Sequence, residues 1–304
     1  MFNAEMLASA IRLSVPIIIT AVGAVYTERG GVVNIGLEGM MITGAFAGAT
    51  GSYFWGPYIG FLVGMAAGAL FALIHGVASI HFHVNQIVSG TAINILAYGV
   101  VRFSAIAIFQ MASTTPHVPS LPTITIPGLA SIPWLKPLVT QVSPIVFVAF
   151  LLVPFTYWVL TRTVFGLRLR SVGEYPLAAE TLGVNVYAMK YWGVLISGAL
   201  AGMSGAYMAV EHTGMYVEGM TQGLGFIALA AMIFGNWYPL GAMWAGLLFG
   251  FTQALSLRVV SSVIPYQFIK MIPYLLTIAV LAGWMQRSRM PAADGVPYER
   301  GEAT

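Results

Sequence analysis

The chain alternates long apolar runs with short polar breaks, and the runs are too long for the core of a soluble domain. Between Glu38 and Arg102 no Asp, Glu, Lys or Arg occurs across 63 residues, and between Glu218 and Arg258 none occurs across 39. A helix crossing the bilayer needs about 20 apolar residues, so the first run must fold back more than once. Nine spans are predicted, at about 7–26, 33–53, 57–79, 86–110, 143–161, 190–211, 221–236, 239–257 and 264–285. Gly56-Pro57 and Trp237-Tyr238-Pro239 mark two of the turns between them. The predicted fold class is an all-α polytopic membrane protein with one transmembrane domain over 1–285 and a hydrophilic tail over 286–304. A β-barrel would instead show short segments of alternating polarity.

The pattern also repeats. GVVNIGLEGMMITGAF after Gly31 leads to a turn, a Gly-rich apolar run and a further span, and GMTQGLGFIALAAMIFG after Gly219 does the same. Two four-span units, 7–110 and 190–285, with one linking helix at 143–161, are therefore expected. An odd helix between them makes the units inverted in the membrane, which points to corresponding interrupted helices as the place of a site. Gly60, Gly64 and Gly68, and likewise Ser197, Ala201 and Gly205, recur at four-residue spacing. Small residues so placed let membrane helices approach closely.

Composition agrees: 58% of residues are hydrophobic and 8% charged, with a mean hydropathy of +0.84. The net charge of +3 does not indicate nucleic acid, because the basic residues lie beside spans, where topology accounts for them. The largest polar island, 162–189, carries Arg162, Arg168 and Arg170, ends at Lys190, and contains a short helical stretch near Pro176–Leu182. The Lys/Arg bias places this island and the tail inside the cell and the N-terminus outside. MFNAEMLASAIRL lacks a basic stretch before its apolar run and reads as a retained first span. Six prolines stiffen Met111–Ser143, which then lies outside, as a docking surface or a spacer.

Glu38 is the leading candidate for function. A carboxylate at membrane depth costs about 2.5–3.5 kcal/mol on insertion scales, so it should face a cavity or a partner. It stands in Asn34-Ile35-Gly36-Leu37-Glu38-Gly39, where the glycines suggest a broken helix start whose amides could meet a polar ligand; the alternative is that Glu38 sits near an interface and caps a helix. Asn34, Gly36, Asn94 and Gln222 complete the candidate solute pathway. Gly202-Met203-Ser204-Gly205 has the form of an intramembrane serine protease motif, for which His75 or His212 would have to act as base. His81 and His83 lack further ligands for a metal. With zero cysteines, thiolate chemistry is excluded, and no P-loop motif occurs.

Three stretches, TERGGVVNIGLEGMMITGAFAGA, RLRSVGEYPLAAETLGVNVYAMKYWGVLISGALAGMSGAYM and GFIALAAMIFGNWYPLGA, resemble the permease subunits of bacterial ABC importers of the simple-sugar and nucleoside type, related to branched-chain amino-acid permeases. The resemblance covers roughly residues 7–285. It implies a multi-pass inner-membrane subunit that binds no cofactor itself, with ATP and Mg on a partner ATPase. It also implies a second permease, related or identical, and an external solute-binding protein, in a lipid environment. A coupling helix contacting the ATPase is implied at Arg170, Gly173, Glu174, Pro176, Ala178, Ala179, Glu180 and Gly183. Relatives are expected to carry a basic residue before GFIALAA, where this chain has Gln222-Gly223-Leu224-Gly225. An autonomous secondary transporter or channel is the alternative, and would need an embedded ion site such as Glu38.

Overall fold

A computed structural model describes residues 4–125, 127–130, 132, 134, 136–258, 268, 271, 275 and 289–299. The helices are α1 Ala4–Arg29, α2 Leu37–Trp55, α3 Pro57–Gly76, α4 Gln86–Phe109, the single turns α5 Pro127–Ala130 and α6 Lys136–Val139, α7 Pro144–Arg162, α8 Val164–Glu174, α9 Pro176–Thr181, α10 Val186–Ala206, α11 Leu224–Phe234 and α12 Pro239–Arg258. Helices α3 and α10 each continue into a π-helical turn, Val77–His81 and Tyr207–Thr213. The protein is an all-α polytopic membrane protein. Among the described residues six helices are long and apolar enough to cross a membrane: α1, α3, α4, α7, α10 and α12.

Two expected spans differ, each for its own reason. Helix α2 has 19 residues but is diluted by Gly, Thr and Ser, while α11 has only 11. At 1.5 Å per residue α11 is about 16 Å long, half the hydrocarbon thickness. The stretch 221–236 is thus a half-helix reached by a non-helical loop, not a full span. The ninth expected span, 264–285, lies outside the described residues apart from Phe268, Met271 and Leu275.

Helices α1 and α10 form the buried centre and run antiparallel. Ser204 on α10 donates to the Pro16 carbonyl of α1 at 2.8 Å, and Gly193 lies against the Tyr26 carbonyl. Helix α10 packs on α3 through two glycine pairs: a Cβ at Gly68 would collide with the Gly198 carbonyl, and one at Gly202 with that of Gly64. Without side chains between them the backbones touch, and dispersion contacts replace a hydrophobic driving force that lipid does not supply. Helix α1 packs on α12 in the same way, with Gly250 set against Ser14 and Gly246 against Ile18. Helix α2 lies on α10, and α11 on α1.

The island end of the molecule carries α8, α9 and the residues after Arg29. At the opposite end the proline-rich segment folds over the bundle. Ser52 donates to the Pro119 carbonyl, Glu211 accepts from the Leu121 amide, and Thr114 pairs with Val217. The N-terminus of α1 lies at this end, where Tyr207 donates to the Arg12 carbonyl.

Candidate functional site

Both interrupted helices start from glycine. Gly36 and Gly223 occupy the N-cap positions of α2 and α11, and neither can cap its helix with a side chain. Helix starts leave amide groups without partners, and inside a bilayer water cannot supply them. Each start is therefore capped from elsewhere in the fold. The Asn94 side chain on α4 accepts from the Gly39 amide at 2.8 Å and donates to the Ile35 carbonyl at 3.1 Å. The Glu38 carboxylate, from the first turn of α2, accepts from Thr221 Oγ1 at 2.5 Å and from the amides of Gly223 and Gly225 at 2.9 and 2.7 Å. A negative charge at the N-terminus of α11 also meets the positive end of its dipole. A Cβ at Gly225 would lie 2.5 Å from the Glu38 amide nitrogen, so the two helix starts are in backbone contact.

The loop before α2 is satisfied the same way. Gln86 accepts from the Val33 amide, His75 bridges the Val33 carbonyl and Ser89, and Lys190 donates to the Gly31 carbonyl at 3.1 Å. Asn34 accepts from the Gly36 amide and donates to Ser197 Oγ. Ser197 lies eleven residues into α10, about 16 Å from its start, so this loop is re-entrant. Asn34, Gly36, Glu38 and Asn94 are all buried; together they form a knot that holds the two helix starts. Only Gln222 of that set is exposed, in a left-handed conformation with φ of 46°.

The second loop, 214–223, descends along α4. The Glu218 amide bonds to the Ser113 carbonyl, the Glu218 carboxylate pairs with Arg102 at 3.5 Å, and Tyr98 lies close to Thr221. The Arg102 side chain is 61% exposed on a helix that otherwise shows Ile95, Leu96, Phe103 and Ile106. Charged groups at membrane depth turn to a water-filled cavity or a protein partner. Arg102, Glu218, Tyr98, Gln222 and Phe226 are all solvent-accessible on this wall. Sequence reasoning passed over Arg102 and Tyr98; the one signal was a lone charge ending a long uncharged run.

At the island end α9 occupies Pro176–Thr181, where a short helix was expected. Ala179 is buried against Val172, Val186 and Tyr298. Glu174, Ala178 and Gly183 are exposed, Pro176 and Glu180 partly so. Tyr175 and Leu182, not singled out from sequence, are 61% and 85% exposed. Gly173 abuts the Arg29 carbonyl, where a Cβ would not fit, and Glu174 pairs with Arg29 at 3.8 Å. Arg29 also donates to the Trp237 carbonyl and lies over the Tyr238 ring. Arg170 is half-buried, and its Nε has no hydrogen-bond partner among the described residues.

A sequence family described as a permease component of branched-chain amino-acid transport systems matches residues 6–281. The chain belongs to this permease family. The permease is 44% identical over 301 residues, 94% of each chain, to the guanosine ABC transporter permease NupQ of Bacillus subtilis. It is 42% identical to the nucleoside ABC transporter permease NupC of Lactococcus lactis, with 96% of each chain covered. A putative glucose ABC transporter permease, TsgC13 of Haloferax volcanii, is 31% identical over 92% of each. The permease is thus a transport component rather than an enzyme.

The remaining motifs have structural roles. Ser204 is fully buried and donates to a backbone carbonyl of α1, while the ring nitrogens of His75 are engaged with Ser89 and Val33. Among the described residues no protease dyad forms. His83 faces Glu299 at 3.2 Å, and among the described residues no group of three metal ligands forms.

Proposed function

We propose that the protein is the membrane-spanning subunit of an ATP-driven importer for nucleosides, with simple sugars as the neighbouring class. The island end faces the cytoplasm and α9 receives a separate ATPase, which holds the ATP and Mg. The observation that carries this reading is α9 itself. It is a six-residue helix bracketed by exposed Tyr175 and Leu182 at the polar island end, and rooted through Gly173 and Arg29 in α1. Arg170, Gly173, Glu174, Pro176, Ala178, Ala179, Glu180 and Gly183 then belong to the coupling element, with Gly173 and Ala179 seating it and Glu174, Ala178 and Gly183 facing the partner.

The wall formed by α4 and the 214–223 loop would face the solute path, shared with a second permease, related or identical. Gln222, Arg102, Glu218, Tyr98 and Phe226 would contact solute, with hydrogen-bonding groups for hydroxyls and rings for a base or sugar face. The Glu38–Asn94–Asn34 knot positions that wall. We also infer the inverted repeat: exchanging α1 with α10, α2 with α11 and α3 with α12 maps each described packing onto its counterpart. The proline-rich cover at the opposite end would meet the external solute-binding protein, in the bacterial inner membrane.

An autonomous transporter is disfavoured because the Glu38 carboxylate already accepts three hydrogen bonds. The deciding experiment reconstitutes the permease with its ATPase, partner permease and loaded binding protein in proteoliposomes. Guanosine uptake that requires ATP is expected. Uptake by this chain alone in ATP-free vesicles would refute the assignment.

A further inference from the structure

Residues 289–299 lie at the island end, in contact with α8, α1, α10 and the turn between α11 and α12. The Ala293 amide donates to the Gly173 carbonyl at 2.9 Å, and the Ala292 amide to the Glu174 carboxylate at 3.3 Å. The Arg289 amide donates to Asn236 in the turn between α11 and α12 at 3.0 Å. Tyr187 on α10 donates to the Tyr298 carbonyl at 3.4 Å, with the two rings edge-to-face at 5.4 Å. Glu299 reaches His83, just after α3. Asp294 is buried next to Glu28 on α1.

These contacts matter because α9 has little else to stand on. Six residues are far too few for a helix to hold itself in water, and Ala179 is its only fully buried residue. Ala179 sits in a small cluster with Val172, Val186 and Tyr298. Tyr298 is by far the largest member and the only one contributed by the tail. Force applied to an element can move another only through groups packed between them.

We propose that 289–299 is a strap that ties the coupling helix to the transmembrane core, so that movement of a docked ATPase reaches α1, α10 and the α11–α12 turn. The proposal rests on the reading of α9 as the ATPase contact and adds Tyr298 and Ala293 as positioning residues for coupling. A strap acts after docking. It therefore separates two quantities that a docking surface would change together: ATPase affinity and solute-stimulated hydrolysis.

The test uses the full importer in proteoliposomes, with the loaded binding protein as stimulus. Tyr298→Ala should leave the ATPase bound and its basal hydrolysis unchanged, while stimulated hydrolysis and uptake fall about tenfold, within the usual range of coupling between sites. Tyr298→Phe, which keeps the ring in the cluster, should restore both. Ala293→Pro, which removes the amide donated to Gly173, should reproduce the loss and decides the matter if Tyr298→Ala fails to assemble. Normal stimulation in Tyr298→Ala and Ala293→Pro, beside its loss in Ala178→Glu on the exposed face of α9, would overturn the strap and leave the ATPase contact standing. Normal stimulation in Ala178→Glu as well would bring down the underlying reading. Release of the ATPase from Tyr298→Ala would also overturn the strap, making the tail a docking surface.

Discussion

Glu38 and Gly225, 187 residues apart, are joined by a hydrogen bond of 2.7 Å from the Gly225 amide to the Glu38 carboxylate. This contact fixes the start of one interrupted helix on the start of the other. It turns the most conspicuous carboxylate in the chain into a cap. Glu38→Ala would orphan three donors in a buried site and should destabilise the fold by about 3–5 kcal/mol, the cost of breaking a buried charged network. Glu38→Gln, which keeps an acceptor, should lose less. Thermal unfolding in detergent orders them: parent, Gln, Ala. A Glu38→Ala protein that melts like the parent but fails to transport would make Glu38 a solute ligand.

The glycine crossing of α3 and α10 predicts sharp position dependence. Gly198→Val and Gly68→Val force two backbones apart and should abolish a folded, monodisperse protein. At Gly99 an added Cβ meets nothing within 4 Å in the subunit, so Gly99→Val should be recovered at parental yield. Size-exclusion profiles of the three variants decide this.

On the wall formed by α4 and the 214–223 loop the Arg102–Glu218 pair should matter as a pair. Arg102→Glu and Glu218→Arg each place two like charges about 3.5 Å apart and should reduce uptake strongly. The double exchange should recover part of it, with a coupling of about 0.5–3 kcal/mol in a double-mutant cycle. Additive losses would show that the two side chains act separately.

Coupling should be separable from assembly at the exposed face of α9. Leu182→Glu and Ala178→Glu change side chains that face solvent and should leave the melting temperature within a few degrees of the parent. Both should abolish stimulation of the ATPase by loaded binding protein. Retained stimulation in Leu182→Glu would remove that residue from the interface.

The tail should respond to pH. Burial, and then the charge of Glu28, push the Asp294 carboxyl well above the usual carboxylate range when the tail is docked, whereas the released tail titrates near about 3.9. The docked form therefore binds a proton that the released form gives up. This contribution to docking is complete below about pH 4 and is lost as pH rises toward the docked value. Hydrogen exchange across 289–299 should accelerate with pH beyond its intrinsic rate, and Asp294→Asn should flatten that excess.

Much of the membrane architecture was legible in the chain because hydropathy belongs to each segment separately. Charge-free runs, Gly-Pro breaks and the basic island mark where helices run and where the polar end lies. Pro176 at the start of a short polar stretch sufficed to locate α9. The glycines around Glu38 marked a broken helix start, although 33–53 and 221–236 were both expected to be full spans. A run of apolar residues does not reveal that its first turns are loop, since that depends on whether the loop's amides find partners at depth.

Those partners were decided by the tertiary structure alone. Asn94 caps α2, Glu38 caps α11, Lys190 holds Gly31, and Tyr298 completes the seat of α9. Each joins positions far apart in sequence, and hydrogen bonds at membrane depth exist only where two groups meet in the folded chain. Composition announces that a buried polar group must be satisfied; packing determines by what. Hence Glu38 and Asn94, polar residues in apolar surroundings, stand out in the sequence, while their role as caps for helices they do not belong to emerges only from the fold.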